Sequence, residues 1–134
     1  MSNPFIGEIR IFAGNFPPQG WSQTDGQVMA IANNTALFNL IGTTYGGDGQ
    51  STFALPDCRG RFPVHQGTGA GLSGRVLGQS GGAEFVTQPT VQLPGAPDPP
   101  TPASVGFRPQ FQTMSPFITL NFILSLFGIF PSQN

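Results

Sequence analysis

A mainly β (α+β) single domain over residues 1–134, with one short helix near 35–41, is the fold this sequence predicts. Three observations predict it. Apolar anchors, 13 Phe among them, are spread between turn residues, 19 Gly and 14 Pro, which reads as short strands joined by tight turns. The opening "FIGEIRIF" alternates with period 2. The closing "PFITLNFILSLFGIF", bounded by Pro116 and Pro131, is rich in β-branched and aromatic residues.

Each element follows in order. In the opening strand Glu8 and Arg10 share one face, wet or ion-paired, and Ile9 and Ile11 share the other. "NFPPQGW" turns the chain, with Pro18 ahead of Gly20. A short strand, "QVMAI", follows the turn signal "TDG". The helix comes next: Asn33 or Asn34 caps it, Ala36, Leu37, Leu40 and Ile41 form its apolar stripe, and Gly42 ends it. "TTYGGDGQST" is a loop, and "FAL" leads into "LPDCRGRFPVHQG". Residues 67–82 are glycine-dense and wrap the surface without regular structure, and "AEFVTQ" is a strand. Residues 94–109, "PGAPDPPTPASVGFRP", form a proline-rich arm in extended geometry. The closing segment reads as one long strand or two short ones, apolar on both faces and therefore covered on both. A continuous apolar run leaves a helix open there as well.

Composition narrows the function. Charged residues are 8% of the chain, against roughly a quarter in ordinary soluble domains. Every basic residue is Arg, the cation suited to packed, bidentate pairing. With a net charge of −1 there is little long-range repulsion. Either the chain hides much of its surface in an assembly, or Ser, Thr, Asn and Gln solvate it. Five Arg offset by six carboxylates make no cationic footprint for nucleic acid. The run 117–130 is broken by Thr119, Asn121 and Ser125 and falls short of the roughly 20 residues of a membrane span. "MSNPFIGEIRIF" carries no Sec signal peptide, so extracellular protein would leave by lysis, on a virion or by a non-Sec route. One Cys excludes an intrachain disulfide framework.

Catalytic motifs fail on context. "GAGLSG" (69–74) has the dinucleotide spacing but no helix to receive a pyrophosphate. "GQSGG" (78–82) has the nucleophile-elbow spacing, but the sole His, His65, lies upstream. A Walker A loop needs a Lys, and there is none. Cys58 and His65 would lie about 20 Å apart along an extended segment, so only a hairpin could join thiol to base. One His and one Cys do not supply four metal ligands, although a threefold assembly could gather three copies of His65. No cofactor is expected. What remains is ionic. Asp57, Arg59 and Arg61 alternate, so an extended backbone points them to one side as a clamp shielded from water, with Gly60 allowing a bend between the two Arg.

The order "GEIRIFAGNFPPQGW", "DGQ", "NTALFNLIGTTYGGDGQSTFALPDCRGR", "PVHQG", a "GG-A-E-x-V" pattern and "QLP" resembles the phage tail collar family, most closely its short bacterial members, the microcystin-dependent proteins. The likeness runs from about Phe5 to Pro94, and "SPFITLNFILSLFGIFPSQN" is similar to the family's C-terminus. It implies a mainly β, non-enzymatic domain that trimerises or packs at fibre ends. It also implies that Trp21, Asp25, Gly26, Tyr45, Gly46, Gly47, Phe53, Leu55, Pro56 and Gly60, with the three clamp residues, define the scaffold. Many relatives follow "QLP" with closely spaced His residues that bind metal. Here Gly95, Ala96, Pro97 and Asp98 follow Pro94, so no metal site is implied. The stretch in which many relatives carry receptor-reading loops is also short.

The expectation is a structural, self-associating subunit of an extracellular or phage-tail-like fibre, as a closed trimer or a helical polymer. The alternative is an adhesin or receptor-binding, glycan-reading tip; an enzyme is the least favoured reading. The collar-like motif begins within the first few residues with no shaft or coiled coil, which favours docking or polymerisation over a tip. The subunit contacts are expected at Phe117, Asn121, Ile123, Phe127, Ile129 and Phe130. The wholly apolar set, Ile118, Leu120, Phe122, Leu124, Leu126 and Ile129 or Phe130, is expected in the domain's own core, and Asn121 is expected to bond across the contact.

Overall fold

A computed structural model describes residues 3–87 and 110–133. The proline-rich arm at 94–109 lies outside the described residues. The chain forms two compact units, one of Met1–Ser80 with Thr119–Asn134, the other Gly81–Ile118.

The first unit is mainly β, with a short helix. Strands β1 (Ile9–Phe12) and β2 (Trp21–Gln23) flank β7 (Asn121–Ser125), both antiparallel to it. Strands β3 (Val28–Ala30) and β4 (Thr52–Ala54) make a second antiparallel ladder. Between them run a 3-10 turn (Ile31–Asn33) and the helix α1 (Thr35–Ile41). In the second unit β5 (Phe85–Thr87) pairs with β6 (Gln110–Gln112).

The helix stands where the apolar spacing puts it, but its buried stripe is rotated. Leu37 is fully enclosed, Phe38 and Ile41 pack against the core, and Ala36 and Leu40 are exposed. The reason is Phe53: its ring meets Phe38 at 5.6 Å, tilted by 54°, which turns that side of the helix inward. Asn34 is the N-cap residue, yet its amide Nδ2 donates backward to the Ala30 carbonyl at 3.1 Å. Gly42 closes the helix with φ 55°.

β7 explains the apolar run at the C-terminus. It is the middle strand, so Leu124 enters the core with Ile6, Leu37, Phe53 and Leu55. Ile123 points to the opposite face and is only 4% exposed. There Arg10 and Trp21, from the two flanking strands, meet across β7 with the guanidinium carbon 5.1 Å from the ring centre. Strand geometry stops at Ser125, whose hydroxyl donates to the Phe127 carbonyl. Beyond it Gly128, at φ 136°, lies so close to the Pro4 carbonyl that a Cβ would collide with it. Ile6 N–H donates to Ile129 O, and Ile129 N–H to Pro4 O, both at 2.9 Å, tying the two chain ends together.

Several expectations need correction. The closing segment is one strand of five residues rather than a long one, and Ile118 and Leu120 are exposed, not core. Ile9 and Ile11 are exposed at 43% and 63%, because β1 is an edge strand reaching past the rim of the core. The glycine-dense stretch is exposed, as expected, but an antiparallel bridge between Gly67 and Arg75 organises it. β2 and β6 were not anticipated.

Candidate functional site

The β3–β4 ladder continues past its strands and builds the region around Asp57. Leu55 N–H donates to Gln27 O (3.0 Å), Gly26 N–H to Pro56 O (3.1 Å) and Cys58 N–H to Thr24 O (2.9 Å). Asp25 and Asp57 thereby face one another across an antiparallel bridge. Leu55 and Pro56 are buried beneath this bridge. Asp25 Oδ1 is enclosed without a hydrogen bond among the described residues.

The chain then turns sharply. Arg61 N–H donates to Cys58 O at 3.2 Å, and Gly60 takes φ 66°. The turn brings the Arg59 guanidinium back onto Asp57 in a fork, Nε to Oδ1 at 2.9 Å and a terminal nitrogen to Oδ2 at 2.8 Å. The Arg59 backbone N–H adds a third bond at 3.2 Å. The Arg59 side chain, then its backbone, hold the Asp57 carboxyl down to about 2, with Arg61 adding favourable charge. Two features of the expected clamp are overturned. The three residues do not line one side of an extended strand, because the turn at Gly60 interrupts it. Nor is the pair shielded: the Arg59 and Asp57 side chains are 72% and 44% exposed. Water screens such a pair, so it shapes a turn and does not lock a core.

The scaffold residues converge on β4. Phe53 is fully buried and Leu55 1% exposed. Ala54 N–H donates to Gly46 O at 3.0 Å, so the Tyr45–Gly47 segment lies along β4. Gly47, at φ 94°, comes against the Phe53 backbone so closely that no Cβ fits. Tyr45 is half-buried; burial first, and the neighbouring Cys58 second, push its hydroxyl pKa up.

Asp48 carries a role that the loop assignment missed. Its Oδ1 accepts from the N–H groups of Gln50 (2.9 Å), Ser51 (3.0 Å) and Thr52 (2.9 Å). These bonds hold its carboxyl well below the usual carboxylate range. The signal was present: an Asp before Gly and then Ser and Thr is a loop-closing pattern.

The expected contact residues separate. Phe117 (59%), Phe127 (62%), Ile129 (49%) and Phe130 (48%) are exposed. Ile123 is not available for a contact, being enclosed between β7 and the Arg10–Trp21 stack. Asn121 is engaged internally: its Nδ2 donates to Gly14 O at 2.7 Å. His65 is exposed, with Nδ1 2.7 Å from the Gln66 carbonyl, while Cys58 is half-buried. Among the described residues no three His, Cys, Asp or Glu side chains gather as a metal site, and no helix is long and apolar enough to cross a membrane.

No curated protein matches this chain. Residues 7–63 match the family described as Phage Tail Collar Domain. The matched span covers β1 to β4, the Asp48 loop and the Asp57–Arg59 turn. Over that segment, a little under half of the chain, the protein is similar to the phage tail collar domain.

Proposed function

We propose that this protein is a non-enzymatic subunit that associates with copies of itself in a fibre or filament, on a virion-like particle or outside the cell. One observation carries the reading. Among the described residues the buried core cluster comprises Ile6, Leu37, Phe53, Leu55 and Leu124, while Phe5, Phe16, Phe62, Phe111, Phe117, Phe127, Ile129 and Phe130 stand exposed. At about 25 cal/mol per Å² of apolar surface, several half-exposed Phe and Ile side chains favour association strongly. The β5–β6 ribbon supports the same reading. Among the described residues it has two strands, and Phe85, Val86 and Phe111 are about half exposed; a two-stranded ribbon needs further packing to be stable.

Light scattering on purified protein at micromolar concentration tests the proposal. The expected species is several times the 14.1 kDa chain mass, and Phe127→Asp should shift it toward the monomer. A well-behaved wild-type monomer would overturn the reading.

A further inference from the structure

The two edges of the three-stranded sheet are finished differently. Ser125 N–H donates to Glu8 O at 2.9 Å, and from that bond the alternation of the ladder directs Ile123 and Asn121 to β1 as well. Leu126 N–H donates to Gly20 O (2.9 Å) and Thr24 N–H to Phe122 O (3.1 Å), so the alternate residues of β7 face β2. The same alternation turns the N–H and C=O groups of Trp21 and Gln23 outward on one edge, and those of Ile9 and Ile11 outward on the other.

At the β2 edge two of these four groups are satisfied within the chain. Trp21 N–H donates to Pro18 O at 3.0 Å, and Gln23 O accepts from Gln27 Nε2 at 3.2 Å. At the β1 edge no hydrogen bond from the described residues reaches the outer side of Ile9 or Ile11. Their side chains share the sheet face of core residue Leu124 yet stay 43% and 63% exposed. An added strand would cover both.

Edges that must stay single are usually guarded by Lys, Pro or unbalanced charge. Ile9–Phe12 has neither Lys nor Pro. The charges at this edge cancel: Arg10 Nε donates to Glu8 Oε1 at 2.7 Å, and the guanidinium lies over Trp21 of its own sheet. Each copy therefore brings its Arg10 charge already compensated by its own Glu8, which limits the repulsion where two such edges meet.

We propose that the β1 edge takes β1 of a second copy, antiparallel, about a two-fold axis at Arg10. The open groups fit that register: Ile9 lies opposite Ile11 of the second copy, and the open N–H and C=O of both residues find partners. An axis at Ile9 would instead set Ile11 opposite Gly7, whose N–H is already given to Ser125 O at 2.9 Å.

The inference rests on the self-association proposed above, and its test separates the two. In the wild-type assembly the Ile9 and Ile11 amides should exchange with deuterium as slowly as those of Arg10 and Phe12, which face β7. In a Cys58→Ser background, Arg10→Cys should yield a disulfide-linked dimer on mild oxidation, since residue 10 would face its own copy as a close, non-hydrogen-bonded pair. Ile9→Cys in the same background should not. A wild-type monomer sinks both proposals. An assembly whose Ile9 and Ile11 amides exchange freely, or one that cross-links through position 9 and not 10, overturns the edge pairing alone.

Discussion

Gly47→Ala probes the fit between the Tyr45–Gly47 segment and β4. Two costs apply. The backbone at φ 94° is one that side-chain-bearing residues rarely adopt, and holding Ala there costs about 1–3 kcal/mol. The new methyl group would also meet the Phe53 Cα and the Thr52 carbonyl. Relief requires the segment to lift off β4, which breaks the 3.0 Å bond from Ala54 N–H to Gly46 O, about 0.5–1.5 kcal/mol more. The expected loss is about 1.5–4.5 kcal/mol, a large share of a small domain's stability. Gly60→Ala is the control. Its φ of 66° is also positive, but nothing lies within 4 Å of the added methyl, so only about 1–2 kcal/mol of backbone strain applies. Urea unfolding of both variants at one fixed protein concentration measures the difference, because association adds a concentration-dependent term. If Gly47→Ala is no less stable than Gly60→Ala, crowding against β4 does not explain the glycine.

Two further predictions concern the acidic turns. Asp57→Ala should remain soluble and melt no more than about 4 °C below wild type, since the lost pair is exposed and local; differential scanning fluorimetry checks this, and a collapse in soluble yield would restore the buried-clamp picture. The acid limb of stability should depend on Asp57 and Asp48. Arg59 lowers the Asp57 pKa to about 2, and the Thr52, Gln50 and Ser51 amides lower that of Asp48 further. A lowered folded-state pKa gives a contribution that is complete above the unfolded value, about 3.9, and lost as pH falls through the folded value. The urea midpoint should therefore drop from about pH 4 downward, and more shallowly in Asp48→Asn/Asp57→Asn; an equal drop in that double variant refutes the assignment.

Where a pattern ran over enough residues, the sequence could be read. The helix at 35–41, the first strand and the strand at Phe85 all rest on spacing or turn chemistry and stand where that predicts. The tight turn at Gly20 and the helix stop at Gly42 were legible for the same reason. The Asp57–Arg59 pairing was legible as chemistry and misread as geometry. Alternation assumes an extended chain, and the bend that Gly60 allows became a full turn, which moved the pair from a presumed interior to water. Nothing in the spacing of Asp, Arg, Gly and Arg distinguishes those outcomes. Burial is set by which segments come to lie across the chain, here residues 24–27 against 55–58.

The closing segment shows the same rule at its strongest. Period 2 divides it into two faces, and placing the polar-spotted face at a contact is sound only if the strand lies at an edge. β7 lies in the middle. A middle strand needs cover on both faces, so Ile123 is enclosed beside the Arg10–Trp21 stack while Leu124 enters the core. The edge position falls to β1, some 110 residues away in sequence. That exchange moves the surface open to strand pairing from the C-terminal run to Ile9 and Ile11. It leaves Phe127, Ile129 and Phe130, on either side of the Gly128 bend, as exposed apolar groups outside any strand. A subunit with an open strand edge and a separate apolar patch has two chemically distinct ways to meet a neighbour. Loss of one by Phe127→Asp should therefore leave the amide protection at Ile9 and Ile11 in place wherever residual dimers persist.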